Sequence, residues 1–223
     1  MPDSPPPWTP RQRGAWYRGI TVAALILAAL SWLLARLIWL PFLFGLFFFL
    51  VAGLIAGAVG FRLAKPARPV PSGRIKAAVV VLSLLAAALT VLFEYRHFRD
   101  IAIGDPPRFA DARNAVVAAG GSLRELAARA ANAFEKALAD HWPPGGTAGY
   151  VLWSIRSGSL PIEVDGHTEK VVTTHSGLLW PGRTLLAAVL IAAGLWAGLE
   201  SLRSATPVNN ILPFGEEYIE DDG

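Results

Sequence analysis

Cysteine is absent from the 223 residues. That excludes a disulfide framework, a thiolate metal site and a cysteine nucleophile. Charge is scarce as well: 17% of residues are Asp, Glu, Lys or Arg, against about 25% in an ordinary soluble domain. Little charge combined with 53% hydrophobic residues excludes a disordered chain, which needs the opposite balance. It also argues against a water-soluble enzyme. No G-x-S-x-G nucleophile elbow, no phosphate-binding glycine loop and no dinucleotide fingerprint occurs in the sequence. There is no N-x-[ST] sequon and no internal repeat.

The chain instead contains four long stretches without a charged residue, at 19–35, 37–61, 77–93 and 184–199. A helix rises about 1.5 Å per residue, so about 20 residues cross a hydrocarbon layer about 30 Å thick. The second stretch is ample. Around the other three, flanking Arg, Lys and Glu stems reach towards headgroups. One such stretch could be a buried soluble helix, but four exceed what a soluble core of this size can cover. Their polar interruptions are few: Thr21, Ser31, Ser83 and Thr90.

The expected fold is an all-α integral membrane protein with four transmembrane helices and a small, mainly helical extracytoplasmic module that includes a short β-hairpin. The expected organisation is a disordered leader (1–17), a first span (18–36), a second (38–61), a basic loop (62–76), a third span (77–94), the module (95–180), a fourth span (183–202) and an acidic tail (203–223). The first span follows basic residues but lacks a small-residue cleavage site, so it reads as a retained span and not as a signal peptide.

Charge sets the orientation. The leader carries Arg11, Arg13 and Arg18 against Asp3, and the 62–76 loop carries Arg62, Lys65, Arg68, Arg74 and Lys76 with no acid. The positive-inside rule puts both in the cytoplasm. Alternation then places the module outside and the C-terminus inside. The Ala, Arg and Pro bias without Cys suits a bacterial inner membrane. Trp16, Tyr17, Trp32, Trp39, Phe93, Tyr95 and Trp180 sit at span ends, where aromatic belts form.

The bilayer is therefore the first expected partner. Anionic headgroups attract the basic loop at about 1 kcal/mol per charge. Pro66, Pro69 and Pro71 and the lack of interleaved aromatics distinguish that loop from a nucleic-acid patch, so no nucleic-acid partner is expected. Protein partners are expected through the module or the tail. The tail has apolar anchors over 208–214, then Glu216, Glu217, Glu220, Asp221 and Asp222, and reads as a docking peptide or a solvated end.

Within the module, Asp105 and Pro106 suit a helix start, with Phe109, Ala112, Val116 and Ala119 on one face and Gly120-Gly121 at its end. Ser122 and Glu125 have capping-box spacing. Leu123, Leu126, Ala127, Ala130, Phe134, Ala137 and Leu138 form an apolar stripe, a packing face or a membrane-lying one. Pro143-Pro144 stops that helix. Tyr150, Val151, Leu152, Trp153 and Ile155 form a patch, helix or strand. A hairpin turns at Asp165-Gly166, its second strand running to Thr174.

Chemistry-bearing clusters are sparse. Asp165, His167 and Glu169 alternate, with His175 nearby. They could ligate a divalent metal, although exposed turn residues are the plainer reading. Glu94, Arg96, His97, Arg99 and Asp100 form a collar where the third span ends, an interfacial anchor or a substrate gate. No catalytic, cofactor-binding or metal residue is assigned, and no cofactor is expected. Gly53-x-x-x-Gly57 and Gly194-x-x-x-Gly198 allow close helix approach, within the chain or between copies. With no ionisable residue inside a span, and Pro41 alone near a span end, a stand-alone pump is disfavoured. The expected role is a non-enzymatic scaffold, assembly or sensory component. The alternatives are an accessory subunit of a transport complex, or a membrane-embedded enzyme acting on lipid or envelope substrates. In the enzyme reading the collar and His167 or His175 share one cleft.

Overall fold

The computed structural model describes residues 8–37, 42–103, 110–156, 158–172 and 177–203. Trp39, Pro41, Asp105, Pro106, Phe109, Thr173, Thr174, His175 and the 204–223 tail lie outside the described residues. The fold is mostly helical. The elements are α1 (Pro10–Leu37), α2 (Phe42–Ala64), α3 (Ser72–His97), α4 (Ala110–Ala118), α5 (Leu123–His141), α6 (Gly146–Arg156), β1 (Ser159–Val164), β2 (His167–Val172) and α7 (Leu179–Leu199). Four helical stretches are long and apolar enough to cross a membrane: Pro10–Arg36, Gly45–Ala67, Ser72–Ile101 and Leu179–Arg203.

α1 begins inside the leader that composition alone reads as disordered. The cause is local. The Thr9 backbone N–H donates to Gln12 Oε1 at 2.9 Å, and the Gln12 backbone N–H donates to Thr9 Oγ1 at 3.3 Å. This reciprocal capping box has Pro10 at the first helical position, where its missing N–H is harmless.

The four long helices pack in cyclic order α1–α2–α7–α3. α2 and α7 run parallel, and their glycines form the seam. A Cβ on Gly57 would meet the Gly194 carbonyl oxygen at 3.1 Å, and one on Gly194 would meet the Leu50 carbonyl oxygen at 2.6 Å. Both small-residue motifs are thus used within the chain. On the next face, Gly19 of α1 lies against Gly60 and Ala64 of α2. Ser31 Oγ of α1 donates to the Ala86 carbonyl of α3 at 3.2 Å, and Thr90 Oγ1 donates to the same oxygen at 2.8 Å. Ser83 Oγ donates to the Val80 carbonyl at 3.0 Å, so the buried hydroxyls Ser31, Ser83 and Thr90 all have partners, as burial requires.

One end of the bundle gathers three parts of the chain. The Val70 N–H donates to the Leu202 carbonyl at 3.0 Å, and Gln12 Nε2 reaches the Arg68 carbonyl at 3.5 Å. The Arg74 guanidinium lies 4.2 Å from the Trp8 ring centroid. Both termini of the described chain and the α2–α3 connection therefore share this end, with Arg11, Arg13, Arg68, Arg74 and Arg203.

The module stands at the opposite end, around a second core. A π-helical turn (Phe98–Ile103) continues α3 and turns Phe98 and Ile103 into that core. α4 closes at Gly120-Gly121 through paired bonds, Gly121 N–H to Val116 O at 2.8 Å and Gly120 N–H to Val117 O at 3.1 Å. These are the bonds of a Schellman end, with Gly120 left-handed at φ 71°. Ser122 does sit at the N-cap of α5, but its side chain makes no capping bond. Backbone bonds from Glu125 and Leu126 to the Ser122 carbonyl close that turn instead. The α5 stripe buries Leu126, Ala130, Phe134 and Leu138 against Leu160, Ile162 and Val164 of β1, so it is a packing face. β1 and β2 pair antiparallel from Ser159↔Val172 to Val164↔His167. The two-residue turn has Asp165 at φ 50° and Gly166 at φ 78°, the geometry that Asp-Gly favours. The 150–155 patch is helical, in α6.

Candidate coupling site at the bundle–module junction

The charged collar divides in two. Glu94 turns inward and is 7% exposed. Its Oε1 accepts from Tyr150 Oη at 3.0 Å and from Trp180 Nε1 at 3.1 Å. Its Oε2 accepts from Arg183 NH2 at 3.2 Å, and Arg183 is equally buried. One carboxylate thus joins α3, α6 and α7. Counted at 1.5 Å per residue, Glu94 lies roughly 33 Å along α3 from Ser72, about one hydrocarbon thickness from the basic end. A cavity of about 10 Å³ beside the pair, bordered by Thr90 and Thr184, has room for at most one water.

An aromatic chain carries this junction into the module. Tyr150 packs on Trp180 (6.4 Å between centroids), on Tyr95 (5.6 Å) and on Trp153 (5.8 Å). Phe98 and Phe134 continue the series. Offset and edge-on pairs of this kind add about 0.5–1.5 kcal/mol each beyond area burial. Trp180 and Tyr95 are therefore core residues, not belt anchors, and Trp16 is buried in the core of the bundle itself. Of the expected anchors, Tyr17 and Trp32 are exposed.

The other half of the collar faces outward. Arg99 bridges Asp100 and Glu135 of α5, both at 2.7 Å, a second tie between α3 and the module. Arg96, His97 and Asp100 border a groove shared with the last turn of α1. The Asp165–His167–Glu169 alternation is interrupted by the turn. The Asp165 carboxylate accepts from Arg129 at 3.1 Å, and Glu169 stands opposite Ile162. The His167 side chain lies outside what is described.

Chemically, the Glu94 cluster is an occupied carboxylate with three donors. Burial, and then the Glu94 charge, hold the Tyr150 phenol well above its ordinary ionisation near pH 10, so it stays a donor. The consequence for stability has a definite sign. Above about pH 10 an unfolded tyrosine gives up its proton while the folded Tyr150 keeps it, so alkali favours unfolding. Tyr150's contribution is full below that pH and lost above it. Tyr150→Phe is expected to lower stability at about pH 8 by roughly 1.5–3 kcal/mol, the worth of a hydrogen bond to a charged group. It should also make the decline towards about pH 11 shallower than in the unaltered chain. Thermal unfolding in detergent at the two pH values measures both. Parallel pH curves for the two proteins would refute the assignment.

Sequence reasoning places Glu94 and Arg183 at span ends with their stems pointing outward. A signal for the inward orientation was present in the spacing. Glu94 extends the buried series Ile75, Val79, Leu82, Ala86 and Thr90, and Arg183 opens the series Ala187, Ile191 and Leu195. Searches against family models, curated proteins and solved structures find no match to this chain.

Proposed function

We propose that the chain is a four-span protein of the bacterial inner membrane and a non-enzymatic scaffold or assembly component, whose extracytoplasmic module is mounted rigidly on the bundle. The observation that carries this reading is the Glu94 junction. A carboxylate working in catalysis or transport needs a face open to substrate or proton, whereas this one accepts from Tyr150, Trp180 and Arg183 and borders only a cavity with room for at most one water. Its geometry serves to hold α3, α6 and α7 in one arrangement. The orientation follows from the basic end of the bundle and the positive-inside rule, with both termini in the cytoplasm.

Four measurements test the proposal. The chain should resist extraction by alkaline carbonate, and reporters fused at each terminus should both report the cytoplasm. Crosslinking in native membranes should retain a defined partner set that depends on the module and is altered when Glu94 is replaced. Carbonate extraction without detergent, or termini on opposite sides, would end the membrane reading. Turnover of a lipid or envelope substrate by the purified chain would end the scaffold reading.

A further inference from the structure

The groove between the last turn of α1 and the end of α3 has a chemistry distinct from the Glu94 junction. Two arginines reach it from different helices, Arg36 and Arg96, together with His97. Its acid, Asp100, is engaged at 2.7 Å by Arg99, which leaves the balance of the groove positive. The Arg36 guanidinium lies 4.0 Å from the Trp32 ring centroid, a stacked position that holds it partly preorganised. Below the charges the wall is apolar, made by Trp32 and Phe93, each about one turn back from Arg36 and Arg96, while Ile101 borders the groove on the module side. Trp32 and the adjoining Leu33 are 47% and 44% exposed on the outer surface of the bundle. The groove holds about 240 Å³, less than a drug-sized site and suited to a headgroup.

We infer that this groove binds the phosphate of a membrane phospholipid, with Arg36 and Arg96 gripping the phosphodiester and the Trp32–Phe93 wall receiving the first methylenes of the acyl chains. Two guanidinium forks from separate helices match phosphate oxygens. The groove lies at the level of Glu94, where the bundle is one hydrocarbon thickness from its basic end. Cations above and apolar surface below match an amphiphile standing in the bilayer. The inference rests on the membrane reading above.

The test uses the full chain purified in detergent and titrated separately with phosphatidylglycerol, diolein and inorganic phosphate, with bound molecules counted by native mass spectrometry. Phosphatidylglycerol should be retained, while diolein, which lacks the phosphate, should not. Arg36→Gln with Arg96→Gln should weaken phosphatidylglycerol retention by about tenfold or more. Arg113→Gln, an exposed arginine of α4, should leave retention unchanged. Helix content by circular dichroism and the thermal midpoint keep a folding defect distinct from a binding defect. Equal retention by the double variant, or equal retention of diolein, would overturn the proposal. Displacement of the lipid by millimolar inorganic phosphate would identify a site for free phosphate and overturn the lipid assignment. Carbonate resistance of the same membranes reports the membrane reading separately, so a resistant chain without this selectivity refutes the groove alone.

Discussion

Glu94→Ala is expected to destabilise the folded chain by about 3–5 kcal/mol, the usual result of stranding one member of a buried ion pair. The loss has three parts. Arg183 keeps its charge in a buried site, and Tyr150 and Trp180 lose their common acceptor. Glu94→Gln should fall between, because the amide oxygen still accepts from Tyr150 and Trp180 while the charge facing Arg183 is gone. The more discriminating variant exchanges the pair, Glu94→Arg with Arg183→Glu. A simple ion pair survives exchange, but this one should not. An indole N–H only donates, so Trp180 needs an acceptor at position 94, and an arginine there offers none. Unfolding midpoints in detergent for the four proteins decide the matter. A swapped variant as stable as the original would show that Trp180 and Tyr150 are bystanders.

The second large effect is expected at the parallel seam of α2 and α7. A Cβ at Gly194 would sit 2.5 Å from the Leu54 backbone nitrogen and 2.6 Å from the Leu50 carbonyl oxygen. At Gly53 and Gly198 it would meet the Ile191 carbonyl oxygen and the Gly57 backbone. These neighbours are main chain and cannot swing aside, so the helices must separate. Gly194→Ala should cost roughly 1–3 kcal/mol by overpacking, and Gly194→Leu more. Gly14→Ala is the matched control. It lies within α1 with nothing within 4 Å of the added methyl, and should gain about 0.5–1 kcal/mol from helix propensity. Denaturant titration of the three variants would measure the contrast. If Gly194→Ala behaved like Gly14→Ala, the close approach of α2 and α7 would be wrong.

Much of this fold is legible in the residues. Helices of this length follow from runs without charge, the seam from glycines four apart, and the hairpin from Asp165-Gly166 between alternating residues. The end of α4 follows from Gly120-Gly121. The capping box at Thr9 and Gln12 carried an equally plain local signal, hidden by the prolines before it. The orientation of the end charges was harder to see, for a physical reason. In a soluble helix the polar face identifies the buried one. α2, α3 and α7 are apolar all round, so hydropathy does not say which side meets another helix. Glu94 and Arg183 then look like boundary markers, and only their register with Thr90 and Ala187 separates the two readings. Trp16 and Trp180 were misplaced for the same reason, since a large amphipathic ring at a helix end suits either a headgroup layer or a core.

The parallel pairing of α2 with α7 has a consequence for synthesis. Its two halves are made at widely separated times, because α3 and the entire module are translated between them. Until α7 emerges, the face of α2 bearing Gly53 and Gly57 has no companion. Chain growth therefore passes through an interval in which that face is uncovered, and the arrival of α7 is the event that ends it.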